Sequence, residues 1–344
     1  MRSYRLAVFA SLLLLAASAA VAGSWLWARH ALDEGIARWR DQQIERGYAI
    51  DYAGPEFGGF PFTLSVSFRE PRVTTPQGLT WRGPPVLGEA RLWDPFTIDL
   101  HFPGLHRLNA AEAAAAEGLP READIAAEDA NGRVVLRPDG KVESASIDLG
   151  SLVLSGPQIE TATLQRLTAR LGPLRPAQGE RLEELDLVGE VLGVALPAGR
   201  GGLLGDRVDR LSFDSTLAGG IPPGRPETAL PAWRERGGRW RFQRLAVLWG
   251  PLDLQAEGVL ALDEAMRPAG EFNTEMKGAG KIIDRLIDSG GIKPEAAFAA
   301  RLALAAMGRP DSVTGESVLA APISLRQGML YLGPIPLVPI APVL

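Results

Sequence analysis

Three histidines, one glycine loop ending in lysine, a run of carboxylates and a cluster of tryptophan with arginine are the places in this chain where side-chain type and spacing could do chemistry. His101 and His106 stand five apart across Pro103-Gly104 and His30 is remote in sequence. That is not the spacing that sets two imidazoles on one helix face for zinc, and no carboxylate cluster accompanies them. They read as strand-edge or surface histidines. Gly278-Ala279-Gly280-Lys281 hints at a phosphate loop, but Glu275 stands where the first glycine belongs and Ile282 where Ser or Thr must follow the lysine. Glu183, Glu184, Asp186 and Glu190 lack a matched partner in sequence and read as a solvated strand face rather than a general acid and base. Trp233 and Trp240 among Arg234, Arg236, Arg239 and Arg241 fit a lipid-headgroup contact or a loop beside a core tryptophan. No catalytic, cofactor-binding or metal-ligating residue is assigned, and the expectation is a protein that is not an enzyme.

The totals narrow the classes. Lys and Arg number 36 against 41 Asp and Glu, a net charge of −5 that offers no basic field for nucleic acid. With no cysteine, disulfide and thiolate chemistry are excluded together. The 39 glycines and 27 prolines suit a chain broken into many short strands by turns.

What must position any surface of interest begins at the N-terminus. After Arg2 and Arg5, Leu6 to Trp27 is apolar or small throughout and uncharged. As a helix it is about 33 Å long, enough for a bilayer core, with Trp25 and Trp27 at its far end. We read 1–28 as a single membrane anchor; a signal peptide is the alternative, since Ala20-Val21-Ala22 has a cleavage-site form. The segment 29–47 is expected to be an amphipathic juxtamembrane helix ended by Gly47, and the body 48–344 to lie in the periplasm, outside the inner membrane.

The body reads as strands. Phe62, Leu64, Val66 and Phe68 alternate with Thr63, Ser65, Ser67 and Arg69 after a Gly58-Gly59-Phe60-Pro61 break, and Pro71 is expected to end that strand. Phe96, Ile98, Leu100 and Phe102 alternate in the same way. A hairpin is expected around Pro76-Gln77-Gly78 and another turn at Pro138-Asp139-Gly140, while 110–118 is a helical turn or surface connection. Ile159 to Leu171 mixes strand and helix signals and is read as strand. Glycine-interrupted amphipathic strands then recur through Leu182–Val191, Leu211–Gly219, Leu245–Gly250 and Leu252–Ala261. The proline-rich 220–231 is expected to be a loop and a possible internal boundary. Helices are expected over Lys281–Ser289 and Glu295–Met307, then a hairpin through Gln327-Gly328, then a tail with too many prolines for a central strand. The fold class is a β-rich α+β protein: a long curved, mostly antiparallel sheet with two C-terminal helices, preceded by one N-terminal transmembrane helix.

Gly59-Phe60-Pro61-Phe62 with its alternating strand and Pro71, the single N-terminal span, and the ending Gly328, Leu330, Leu332-Gly333-Pro334 resemble the domain-of-unknown-function family 2125 of alphaproteobacteria. That resemblance implies no activity and no site residues. More distantly the chain is similar to AsmA-type envelope proteins, a resemblance that implies membrane anchoring and lipid handling. The expected partners are the membrane and lipid acyl chains, with Phe62, Leu64, Val66, Phe68, Phe96, Ile98, Leu100 and Phe102 facing them. The alternative is a non-catalytic envelope scaffold or protein-interaction module.

Overall fold

The computed structural model describes residues 2–111, 120–179, 182–222, 226–290, 301–302, 308–310, 317–333 and 335–343, the side chains of 2–11, 14, 310, 317, 335 and 337 excepted. The chain divides into two compact units, Met1–Glu160 and Thr161–Leu344. The stretch 220–231 therefore lies inside the second unit.

The first unit opens with helix α1 (Arg2–Glu45). Gly47, at a φ of 87°, lets the last turn close, its amide donating to the Ile44 carbonyl while the Tyr48 amide donates to that of Gln43. The expected anchor and juxtamembrane segments are thus one continuous helix. Among the described residues no helix is long and apolar enough to cross a membrane. The expected span 6–27 lies partly outside the described side chains.

Strands β1 (Ala49–Gly58) and β2 (Thr63–Thr74) form a hairpin, followed by β3 (Leu79–Arg82), β4 (Val86–Arg91), β5 (Asp94–His101), β6 (Gly104–Ala110), β7 (Glu122–Leu136) and β8 (Val142–Gly156). All pairings are antiparallel, and β7 runs beside β8 along nearly its whole length. Between β2 and β7 the sheet is split. Strands β4 and β5 bridge one half of β2 to one half of β7, and β3 and β6 bridge the other halves.

That split explains why Pro71 does not end its strand, as the sequence led us to expect. Residues 63–68 pair with β4 and 72–74 with β3, so Pro71 sits where β2 changes partner and no ladder amide is required. Its carbonyl still accepts from the Gly83 amide. The turn at Pro138-Asp139-Gly140 is as expected, with Gly140 at a φ of 79° and the Asp139 carboxylate accepting from the Lys141 amide.

The second unit is an antiparallel meander. Strand β9 (Ile159–Arg175) pairs with β10 (Glu184–Ala195), then follow β11 (Arg207–Ala218), β12 (Arg239–Trp249), β13 (Leu252–Leu262) and β14 (Pro268–Lys277), each paired with the one before. Strand β14 pairs with β16 (Ser317–Arg326), which also holds the short β15 (Gly308–Pro310) and the hairpin partner β17 (Met329–Leu332). The recurrence in the sequence is this meander. Strand β18 (Ile335–Pro339) pairs with β17 alone among the described residues, which is how so many prolines are tolerated.

Helix α2 (Pro226–Glu235) occupies much of the expected loop. Pro226 suits a first helical turn, and Ala229 and Trp233, four apart, are buried together. Helix α3 (Ala279–Asp288) is the first of the two expected C-terminal helices. Of the second, Glu295–Met307, only Arg301 and Leu302 are described, and both are helical, while the alanine-rich 112–118 lies outside the described residues.

Candidate functional site

In a sheet, residues directly opposite across a ladder share a face. The register of the first unit therefore assembles what alternation along single strands only suggests. Leu64, Ala90, Ile98, Val134 and Ala145 form one cross-strand row. Phe57, Val66, Gly88, Leu100, Gly132 and Ile147 form the next. On the reverse face Glu89, Asp99 and Arg133 line up, with the Arg133 guanidinium 2.6 Å from the Asp99 carboxylate. This hydrogen bond, and then the charge of Asp99, raises the Arg133 pKa further above its ordinary value. One side of the sheet is apolar and the other charged.

Of the eight residues expected to face lipid, Leu64, Val66, Ile98 and Leu100 meet in these two adjacent rows. Phe68 opposes Val86 one step further along, and Phe102 packs with Leu100 over Gly132. Phe62 and Phe96 stand apart, exposed at the strand ends. Leu64 is 9% exposed while Val66, Phe68, Ile98, Leu100 and Phe102 are only half-buried, so the rows keep accessible apolar surface among the described residues.

Beyond Phe102 the same unit holds an apolar cavity of about 220 Å³, walled by Trp81, Phe102, His106, Leu108, Ile125 and Leu152. His106 accepts at Nδ1 from the Trp81 indole N–H, 3.3 Å away. Burial lowers the pKa of the imidazole, against an opposing hydrogen bond to the Phe102 backbone. A neutral ring in an apolar wall is a packing histidine, whereas His101 is exposed and bonded to Asn131. The sequence separated the two histidines only by position, and the cavity wall comes from four strands that no local pattern connects.

The second unit repeats the arrangement on a wider sheet. Leu167, Val191, Leu211, Val247, Leu254, Met276 and Leu319 make a continuous row across seven strands. Leu171, Leu187, Ser215, Phe242, Gly258, Phe272 and Ile323 make another. Large side chains alternate with Ser and Gly in that row because rings lie over the small residues. A Cβ on Gly258 would meet the Phe272 ring at 2.6 Å, and one on Gly189 would meet the Phe213 ring at 2.5 Å. Phe272 and Leu319 are buried, and most other members of these rows are half-buried. These positions were missed as a site; the signal was the recurring glycine-interrupted alternation.

The remaining sequence candidates resolve into structure. Three of the carboxylates, Glu184, Asp186 and Glu190, lie on the polar face with arginine partners from neighbouring strands: Arg175 reaches both oxygens of Asp186 at 2.7 Å and Glu184 at 3.2 Å, and Arg210 reaches Glu190 at 3.3 Å. The glycine loop starts α3, where Gly278 has a φ of 82° and any Cβ would collide with the Pro251 carbonyl. Trp233 is buried with its indole donating to the Ala218 carbonyl, Trp240 stacks beside Phe242, and Arg234 donates to the Asp263 and Glu264 carbonyls. Among the described residues no group of acidic or histidine side chains is placed to hold a metal ion.

Fold and face together define a β-rich protein built on a long antiparallel sheet with one apolar and one charged side. The chain belongs to the bacterial family described as "Uncharacterized protein conserved in bacteria (DUF2125)", whose pattern matches residues 25–341. No curated protein and no solved structure matches it.

Proposed function

We propose that this is a non-catalytic, membrane-anchored envelope protein whose apolar sheet faces shelter lipid acyl chains. The observation that carries the reading is the cross-strand apolar row, continuous over many strands and for the most part half-buried. Apolar surface of that extent normally marks a binding surface. An acyl chain suits it better than a compact ligand, because the rows are long, unbroken by charge and lined mainly by aliphatic and aromatic groups, with glycine and Ser215 between them. The anchor is supported by the uncharged run Leu6–Trp27 and by Leu12, Leu13 and Leu15, which are exposed on α1. A periplasmic body is supported by the form of the N-terminal segment.

The test is to purify the full chain from membranes in mild detergent and measure co-purifying lipid by mass spectrometry, alongside Val66→Asp and Leu100→Asp. Phospholipid in stoichiometric amount with the parent chain, and its loss in variants that keep the parent's circular dichroism, is the expected result. Lipid-free parent protein, or undiminished lipid in folded variants, overturns the reading. Specific capture of a protein and no lipid by a photo-crosslinker at Leu100 would favour the scaffold alternative.

A further inference from the structure

Helix α1 is pinned to the first sheet at two levels. Near its middle, Trp25 is 8% exposed, its indole donates to the Thr63 carbonyl at 2.8 Å, and its ring meets Phe60 edge-on at 5.7 Å. One turn on, the Arg29 guanidinium lies 5.3 Å over the Phe57 ring. Just past its C-terminus, Gly47 abuts Pro76 in the turn at the other end of β2. Residues 25–45 thus run beside the β1–β2 hairpin, about 30 Å of helix against about 36 Å of strand. Residues 2–24 continue the helix past the hairpin tip by roughly 34 Å.

At the level where the helix leaves the sheet, large apolar side chains stand exposed. Phe60 and Phe62 are 58% and 59% exposed, Trp93 69% and Trp27 73%. They are organised rather than scattered. The Leu92 amide donates to the Phe62 carbonyl at 3.0 Å, and Phe62 and Trp93 have ring centroids 6.5 Å apart, which ties the β4–β5 turn to the β1–β2 turn. Phe96 follows in the same β4–β5 hairpin. Aromatic rings gathered where an apolar helix leaves the sheet suit an interfacial belt.

We propose that the tips of the β1–β2 and β4–β5 hairpins, through Phe60, Phe62, Trp93 and Phe96, seat in the headgroup region of a phospholipid bilayer. They would dock the Leu64 and Ile98 end of the apolar face on the lipid surface. The occupant is a membrane rather than a protein because the apolar half of α1 departs from this same rim. The inference rests on the proposed anchoring of residues 6–27.

Because the chain has no cysteine, single-cysteine variants can be labelled without background. Full-length Phe62→Cys, Trp93→Cys and Gln77→Cys, each carrying an environment-sensitive NBD group, would be reconstituted in phosphatidylcholine–phosphatidylglycerol vesicles. Blue-shifted emission and quenching by lipids spin-labelled near the headgroup are expected at 62 and 93 and neither at 77, the far end of β2. Water-like emission at 62 and 93 in protein that resists alkaline extraction overturns the rim and leaves the anchor and acyl-chain face standing. A shift at all three positions overturns it as well, and protein that washes out in alkali overturns anchor and rim together. The acyl-chain reading is tested separately by lipid content.

Discussion

At the scale of single residues, the apolar faces depend on small positions beneath large ones. Gly258 has no left-handed backbone conformation to explain it. Its constraint is space, since a Cβ would press on both the Glu271 carbonyl and the Phe272 ring, and a backbone group cannot rotate away. Gly258→Ala should therefore cost about 1 to 3 kcal/mol, as overpacking does. It should appear as a lower denaturant midpoint with an unchanged slope, and a parental midpoint would contradict the packing argument. Three aspartates close turns through backbone amides. Asp206 accepts from Gly199 and Gly201 at 2.8 Å, Asp263 from Ala265 and Arg267 at 2.9 Å, and Asp139 from Lys141 at 3.1 Å. In each the backbone hydrogen bond is the main cause that lowers the carboxylate pKa below its ordinary value. The sign follows directly. Folding binds fewer protons here, so this contribution is fully present above the ordinary carboxylate pKa and is lost as pH falls toward the lowered one. Denaturant midpoints should drop between neutral pH and pH of about 3, and the double variant Asp206→Asn, Asp263→Asn should show a shallower drop; an identical pH dependence would show that these turns are not linked to folding.

At the scale of elements, what could be read in the sequence was set by how local its cause is. The period of two in 62–68 and 96–102, Gly47 as a helix stop and the Pro-Asp-Gly turn are local, and the structure carries all three. Pro71 misled because its tolerance depends on β2 exchanging β4 for β3, a fact about two different partner strands further along the chain. Helix α2 misled because prolines at 222, 223, 226 and 231 outweighed the Ala229 and Trp233 pair, whose burial decides the matter. The candidate site was legible strand by strand and illegible as rows, since register is fixed by non-local pairing. The attachment of α1 to the hairpin was invisible for the same reason, and it can be tested. Trp25→Phe keeps the ring against Phe60 but removes the donor to Thr63, a loss of about 1 kcal/mol. Hydrogen exchange should quicken in residues 25–45 while β7 and β8 keep their protection, and unchanged exchange along α1 would mean that the indole bond does not hold the helix down.

At the scale of the molecule, each unit carries a one-sided apolar sheet face, and each should gain stability from whatever covers that face. A ligand that binds the folded state stabilises it by mass action, about 2.7 kcal/mol at a hundredfold excess over its dissociation constant. For domains of this size that is a rise of roughly 5 to 10 °C in the unfolding temperature. The full chain, stripped of lipid in a detergent whose micelles hold the N-terminal helix, should therefore show such a rise on adding long-chain phospholipid. The water-soluble headgroup alone should give none, because the rows offer contact to chains and not to polar groups. Leu100→Asp in the first unit and Leu254→Asp in the second should each reduce the rise, and the pair together should reduce it further if both faces are used. A rise that headgroup reproduces, or one that neither substitution alters, would separate the stabilisation from the apolar rows and leave them to be covered by protein instead.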